Sequence, residues 1–204
     1  SQLTMLDAQG KLMWEQNISG RITALTTIHF NGVPYVAAST SRGEILVYNQ
    51  VGQRLWLRTL NKPITSLATM NLPETAVLLA GTEVGTVVAF NDEGQRLWTR
   101  SLAPEANRPI IALSVSPTVA AEGQSLLSVI LGGANRSSSP ADVLLLNQEG
   151  RALTQLLAVD TTGLTQLVDV NHDGQSEVLL ARFATVELLG LSSGASTIAN
   201  EWNY

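Results

Sequence analysis

The chain has 204 residues, of which 45% are hydrophobic and 14% charged, and it contains no cysteine. This composition excludes a disordered chain, disulfide scaffolds, thiolate chemistry and cysteine-based zinc sites. The net charge of −5 without a basic run argues against a nucleic-acid partner, and no apolar stretch is long enough to predict a membrane span in this segment.

An eight-residue element recurs along the chain, with Asp or Asn first, Gly fourth and, in three copies, Trp last. Its glycines Gly10, Gly52 and Gly94 are spaced by 42 residues, and Gly150 follows after 56 residues. The last interval therefore carries 14 extra residues. A degenerate fifth copy ends at Gly194. The regular spacing indicates a tandem structural repeat. The four clear copies cover residues 7–14, 49–56, 91–98 and 147–154.

Within one period the pattern is typical of strands. Residues 22–28 alternate between apolar and polar, and residues 34–38, 44–48 and 53–57 follow after turns that contain glycine. Each glycine of the eight-residue element comes three residues after Asp or Asn, where a tight hairpin needs a positive φ. Four short strands in about 42 residues predict an all-β fold, a β-propeller built from four-stranded blades.

The eight-residue element with its Leu-Trp ending resembles the one that closes blades in quinoprotein-like propellers of the PQQ and BamB type. The resemblance covers residues 1–158 well and residues 159–204 loosely. It implies that Trp14, Trp56 and Trp98 dock between neighbouring blades as part of the core. The family includes quinone-dependent dehydrogenases as well as scaffold and sensor domains.

The phase of the repeat predicts about four and a half blades. Residues 1–18 supply only the third and fourth strands of a blade, and four full blades follow. We therefore expect a single propeller domain, or a fragment of a larger propeller whose remaining blades belong to a longer polypeptide. The predicted full blades span roughly residues 19–60, 61–102, 103–158 and 159–204.

The strongest chemical signal is a loop of nine residues from Asp169 to Glu177. It places oxygen side chains at positions 1, 3, 5 and 9 and a glycine at position 6, which is a pattern for wrapping a hard cation such as Ca²⁺. An EF-hand needs an acidic residue at position 12, where this chain has Leu180. A metal-free turn rich in Asp and Asn is the alternative.

The nine-residue spacing is similar to the calcium loop of FG-GAP repeats in integrin-type propellers, where the loop joins the first two strands of a blade. We expect it here between strands at residues 164–170 and 177–181. The resemblance implies a structural Ca²⁺ bound by the side chains of Asp169, Asn171, Asp173 and Glu177 and by the backbone carbonyl of Gln175.

The 14 extra residues fall in three loops, at residues 103–108, 117–124 and 133–140. The first and third should be neighbours on one face of the propeller, and the second should lie on the opposite face. Loops on a rigid scaffold are common recognition sites, so these loops are candidates for binding a protein partner. Tolerated insertions without a function are the alternative.

The sequence favours a non-catalytic scaffold or sensor module for protein–protein interaction, with no catalytic or cofactor-binding residue assigned. The alternative is a fragment of a quinoprotein-type dehydrogenase, which would need several charged groups converging on the propeller axis. The charges predicted on strands are few, and Arg54, Arg96 and Arg100 recur on the outer fourth strand. The sequence does not fix the cellular compartment, but it favours an extracytoplasmic location, either periplasmic or extracellular.

Overall fold

The computed structural model describes most of the chain, and every regular element in the described residues is a β-strand. No helix of the described part is long and apolar enough to cross a membrane. The described residues are 1–72, 75–104, 108–116, 125–132, 141–159, 161–172, 176–182, 186–191 and 198–203.

The first two strands, β1 (Gln2–Leu6) and β2 (Leu12–Asn17), pair with each other in an antiparallel two-stranded sheet. The turn between them is held by Asp7, whose carboxylate accepts hydrogen bonds from the backbone N–H groups of Gln9 and Lys11. We call this pair the half-blade, since it supplies the third and fourth strands of the repeat and lacks the first two.

Four antiparallel four-stranded sheets follow the half-blade, each built from consecutive strands. The first full blade contains β3 (Ile22–Phe30), β4 (Val33–Thr40), β5 (Glu44–Tyr48) and β6 (Arg54–Thr59), and the second contains β7 (Ile64–Asn71), β8 (Ala76–Thr82), β9 (Thr86–Phe90) and β10 (Arg96–Ser101). The third contains β11 (Ile110–Val115), β12 (Leu126–Leu131), β13 (Ala141–Asn147) and β14 (Ala152–Val159), and the fourth contains β15 (Thr161–Val168), β16 (Glu177–Arg182), β17 (Val186–Leu191) and β18 (Ile198–Asn203).

The four first strands β3, β7, β11 and β15 contact one another in sequence, as expected for strands around a propeller axis. Strand β7 alternates between buried and half-buried residues, while every residue of β8 is buried. Strand β8 is buried throughout because neighbouring blades cover both faces of its sheet. The predicted all-β propeller of about four and a half blades is therefore confirmed.

The core consists of separate apolar layers between blades. One layer joins the half-blade to the first full blade through Leu3, Trp14 and Leu46. Further layers lie between the first and second blades around Ile28 and Leu78, between the second and third, and between the third and fourth. Each blade thus depends on its neighbours to bury its faces, which is the property of a repeat protein.

Candidate functional site

A repeated contact at the outer strand fixes each blade to the next one. The indole N–H of each aligned tryptophan donates to a backbone carbonyl in the hairpin turn of the following blade, with N to O distances of 2.8–3.0 Å. The indole therefore makes its polar contact in the neighbouring blade, while its ring packs between the two blades. The pairs are Trp14 with Gln50, Trp56 with Asp92, and Trp98 with Gln148.

The turn glycine of the following blade lies directly against the indole ring. A Cβ atom added to Gly52, Gly94 or Gly150 would come within 2.8–2.9 Å of the tryptophan. The same glycines have φ between 70° and 78°, as the hairpin pattern predicts. Glycine is needed here both for its backbone angle and for the space it leaves. Trp14 and Trp56 are 8% and 7% exposed, as expected for residues between blades, whereas Trp98 is only partly buried.

The residue two positions after the tryptophan extends the same contact. Arg58 donates from Nε to the carbonyl of Gly94 at 2.7 Å and from Nη2 to that of Glu93 at 2.9 Å. Its Nη1 donates to the carbonyl of Leu57, and its guanidinium carbon lies 5.8 Å from the centre of the Trp56 ring. Arg100 repeats the bonds to the turn at the next interface.

The interface between the half-blade and the first full blade departs from this arrangement. Gln16 occupies the position of Arg58 and donates only from Nε2 to the carbonyl of Gly52, at 2.9 Å. A cleft of about 500 Å³ lies beside it, which we call the first groove. Its polar lining residues are Gln16, Asn17, Ser19, Glu44, Tyr48 and Arg54.

The loop predicted to bind Ca²⁺ joins β15 to β16, the first two strands of the fourth full blade. The carboxylate of Glu177 is buried and its Oε2 accepts a hydrogen bond from the backbone N–H of Val170 at 2.9 Å. Asp169 Oδ1 is also buried, while Asn171 is exposed. His172 has a φ of 61°, which turns the loop sharply.

The other predicted ligands, Asp173 and Gln175, lie outside the described residues. Among the residues that the structure describes, no three His, Cys, Asp or Glu side chains form a metal-binding group. The described part of the loop therefore contains two carboxylates, and the third carboxylate of the predicted set is outside it.

The three insertion loops lie mostly outside the described residues, but residues that border the first and third are in contact. Arg108 Nε donates to the carbonyl of Gly132, and Nη1 forms a salt bridge with Asp142. The two side chains are 17% and 9% exposed, and Gln155 also donates to Asp142. Sequence reasoning missed this ion pair, because its partners are 34 residues apart.

Comparison with known protein families identifies one family that this chain matches. The family model described as outer membrane protein assembly factor BamB matches residues 1–171. No curated protein matches the chain.

Solved propeller structures are similar in shape. The crystal structure of BBS1N in complex with ARL6DN, soaked with lead, has a TM-score of 0.68 at 12% identity, covering 95% of this chain and 58% of that one. The structure of the Dos1 propeller has a TM-score of 0.64 at 13% identity, covering 98% and 50%. The chain therefore spans between a half and three fifths of the length of these structures, and identities this low show the fold alone.

Proposed function

Because the chain belongs to the family described as outer membrane protein assembly factor BamB, we propose that it is a non-catalytic β-propeller module that binds other proteins. The observation that carries this proposal is the repeated contact of tryptophan, glycine and arginine between blades. These contacts hold neighbouring blades in a fixed relation, so the grooves and loops around them lie on a rigid scaffold suited to recognition.

Two comparisons support an interaction role. The family description concerns the assembly of outer membrane proteins, which favours an extracytoplasmic location and a protein partner for this chain as well. BBS1N, whose fold is similar, was crystallised in complex with ARL6DN. The remaining blades of a longer polypeptide are a further proposed partner, since the half-blade has two of the four strands that the other blades have.

An activity assay on the full-length protein distinguishes this proposal from the alternative function, a quinoprotein-type dehydrogenase. We expect no turnover of alcohols or sugars when pyrroloquinoline quinone, Ca²⁺ and an artificial electron-accepting dye are supplied together. We also expect cross-linking in its native extract to capture a defined partner. Dye reduction that needs both the quinone and the folded protein would overturn the non-catalytic proposal, and heat-denatured protein is the control.

We further propose that the loop from Asp169 to Glu177 binds a structural Ca²⁺. The described carboxylates fit this ion, because both are oxygen donors at the two ends of one short loop and both have buried oxygen atoms. Asp169, Asn171, Asp173 and Glu177 would bind by side chains and Gln175 by its carbonyl. The ion would neutralise three carboxylates and tie the ends of β15 and β16 together.

Calcium should raise the stability of the folded chain. At a Ca²⁺ concentration 100-fold above its dissociation constant, we expect a gain of about 2.7 kcal/mol in the free energy of unfolding. Mg²⁺ should substitute poorly, because it prefers a small octahedral site and keeps its waters. Thermal melts with Ca²⁺, with Mg²⁺ and with a chelator measure the effect.

The variant Asp173→Ala should lose most of this calcium-dependent gain. Glu15→Ala, which removes an exposed carboxylate from the half-blade, is the control and should keep the gain. Identical melting temperatures for wild type with calcium and with chelator would show that the loop is an ordinary turn.

A further inference from the structure

Three of the outer grooves between consecutive blades share the tryptophan contact, and in the first of them the residue two positions after the tryptophan is Gln16, whereas it is arginine in the other two. The second groove, between the first and second full blades, contains Arg58, and the third contains Arg100. In each of these two grooves, the guanidinium group donates to two successive carbonyls of the facing hairpin turn and to one carbonyl of its own strand. Gln16, at the same position in the first groove, makes one of these three bonds.

The cleft beside Gln16 is open to solvent and has a volume of about 500 Å³. Its walls are the end of β2, the side chains of β5 that face the half-blade, and the start of β6. Gly52, whose carbonyl accepts a hydrogen bond from Gln16, is part of this lining. The first groove therefore keeps the turn that receives a guanidinium in the other two grooves.

Two further differences between equivalent positions of the repeats make the first groove more suitable for a cation than the second groove. Glu44 stands where the second blade has Thr86, and Tyr48 stands where it has Phe90. The Glu44 carboxylate accepts a hydrogen bond from Thr40 Oγ1 and, among the described residues, forms no salt bridge. The lining of the groove thus contains a negative charge, at the end of β5 away from the turn, that favours a bound cation.

Tyr48 supplies a second polar group in an apolar setting. The residue is 4% exposed, and its ring packs against Trp14 with 5.9 Å between ring centres. Burial raises the pKa of its hydroxyl group above the ordinary value, while Arg54 lowers this pKa and Glu44 raises it by smaller amounts. The hydroxyl therefore stays neutral at physiological pH and can accept a hydrogen bond.

Arg54 also lines the first groove, and its charge would oppose a bound cation. The equivalent residue of the second blade is Arg96, so the second groove has an arginine at this position together with Arg58. Arg54 is exposed, where solvent screens its charge. The first groove contains the Glu44 carboxylate and has no equivalent of Arg58. It is therefore more favourable for a guanidinium group from outside than the second groove, where Arg58 already bonds to the turn.

We propose that the first groove binds the guanidinium group of an arginine side chain supplied by a partner protein, in the position that Arg58 and Arg100 occupy in the next two grooves. A planar, weakly hydrated guanidinium group fits a site of carbonyl and carboxylate acceptors better than an ammonium group does. This inference rests on the proposed interaction role and adds the chemistry of the contact.

The test uses three short blocked peptides that differ in one residue, arginine, lysine or citrulline, titrated into the whole chain by NMR or calorimetry. Citrulline matches the shape of arginine without its charge. We expect the arginine peptide to bind about ten-fold or more tightly than the citrulline peptide, with lysine between them. Resonances of Gly52 and Glu44 should shift with arginine.

Three variants locate the site. Gln16→Arg places the chain's own arginine in the groove and should abolish binding of the peptide. Glu44→Thr and Tyr48→Phe replace lining residues by near equivalents from the second blade, and each should weaken binding while the fold is kept. Gln9→Arg makes the same chemical change on an exposed turn and should leave binding unchanged.

Equal binding of the arginine and citrulline peptides would overturn the proposal, as would full binding by a folded Gln16→Arg variant. Melting curves establish that each variant is folded, and Glu44→Thr decides the question if Gln16→Arg is not. If the arginine peptide does not bind while cross-linking still captures a partner, the groove assignment fails and the interaction role stands.

Discussion

Trp56→Ala should lower the free energy of unfolding by about 3–5 kcal/mol. The indole is 7% exposed and packs against Gly94 and Phe90 of the next blade, with 6.2 Å between the two aromatic ring centres. Truncation leaves a cavity between the first and second full blades and removes the hydrogen bond to the carbonyl of Asp92. Urea denaturation followed by circular dichroism measures the loss.

The neighbouring residue Leu55 is the matched control for this prediction. It lies on the same strand and is 47% exposed, so Leu55→Ala should change stability by about 0.5 kcal/mol or less. Equal losses for the two variants would mean that Trp56 does not join the blades.

The glycine that faces the tryptophan offers an independent check. Gly10 and Gly94 have similar φ angles of 78° and 70°, but a Cβ at Gly94 meets the Trp56 ring whereas one at Gly10 meets nothing within 4 Å. Gly10→Ala should therefore cost about 1–2 kcal/mol, from backbone strain alone. Gly94→Ala should cost clearly more, and equal costs would contradict the close contact.

Arg108→Ala should lower the free energy of unfolding by about 3 kcal/mol, the second large effect that we expect. The substitution leaves the Asp142 carboxylate, whose side chain is 9% exposed, without its salt bridge. It also removes hydrogen bonds to the carbonyls of Gly132 and Leu131, which hold the start of β11 to the end of β12.

The loss should come mainly from the charge left behind. The double variant Arg108→Met with Asp142→Leu should therefore be less destabilised than Arg108→Ala alone. Arg54→Ala, which removes an exposed arginine, should change stability by about 0.5 kcal/mol or less. A double variant as unstable as the sum of its single variants would show that the two residues are not energetically coupled, and it would contradict this interpretation.

Much of the fold could be predicted from the sequence because each repeat has the same turn and packing residues at the same positions. Asp or Asn three residues before Gly predicts a hairpin, and the turns at Gly10, Gly52, Gly94 and Gly150 have the expected positive φ. The alternation of residues 22–28 predicts a strand with two different faces, which is observed in β3. Tryptophan at equal spacing predicts one packing role, and all three indoles contact the next blade.

The limits of local prediction are visible at the loop between β15 and β16. The pattern predicts a strand over residues 164–170, whereas β15 runs from Thr161 to Val168. The strand ends earlier because the N–H of Val170 donates to the side chain of Glu177, not to the backbone of the paired strand. The proposed ligands were all suggested by the sequence, since they lie within one nine-residue segment.

The sequence by itself determined the repeat, the strands and the glycine turns, since each depends on residues a few positions apart. The tertiary structure decided where the side chains of the outer strand point. Arg58 and Gln16 occupy equivalent positions, yet Arg58 donates to two carbonyls of the facing turn and Gln16 to one. That difference depends on a hairpin 35 or 36 residues away, and no local pattern encodes contacts across that distance.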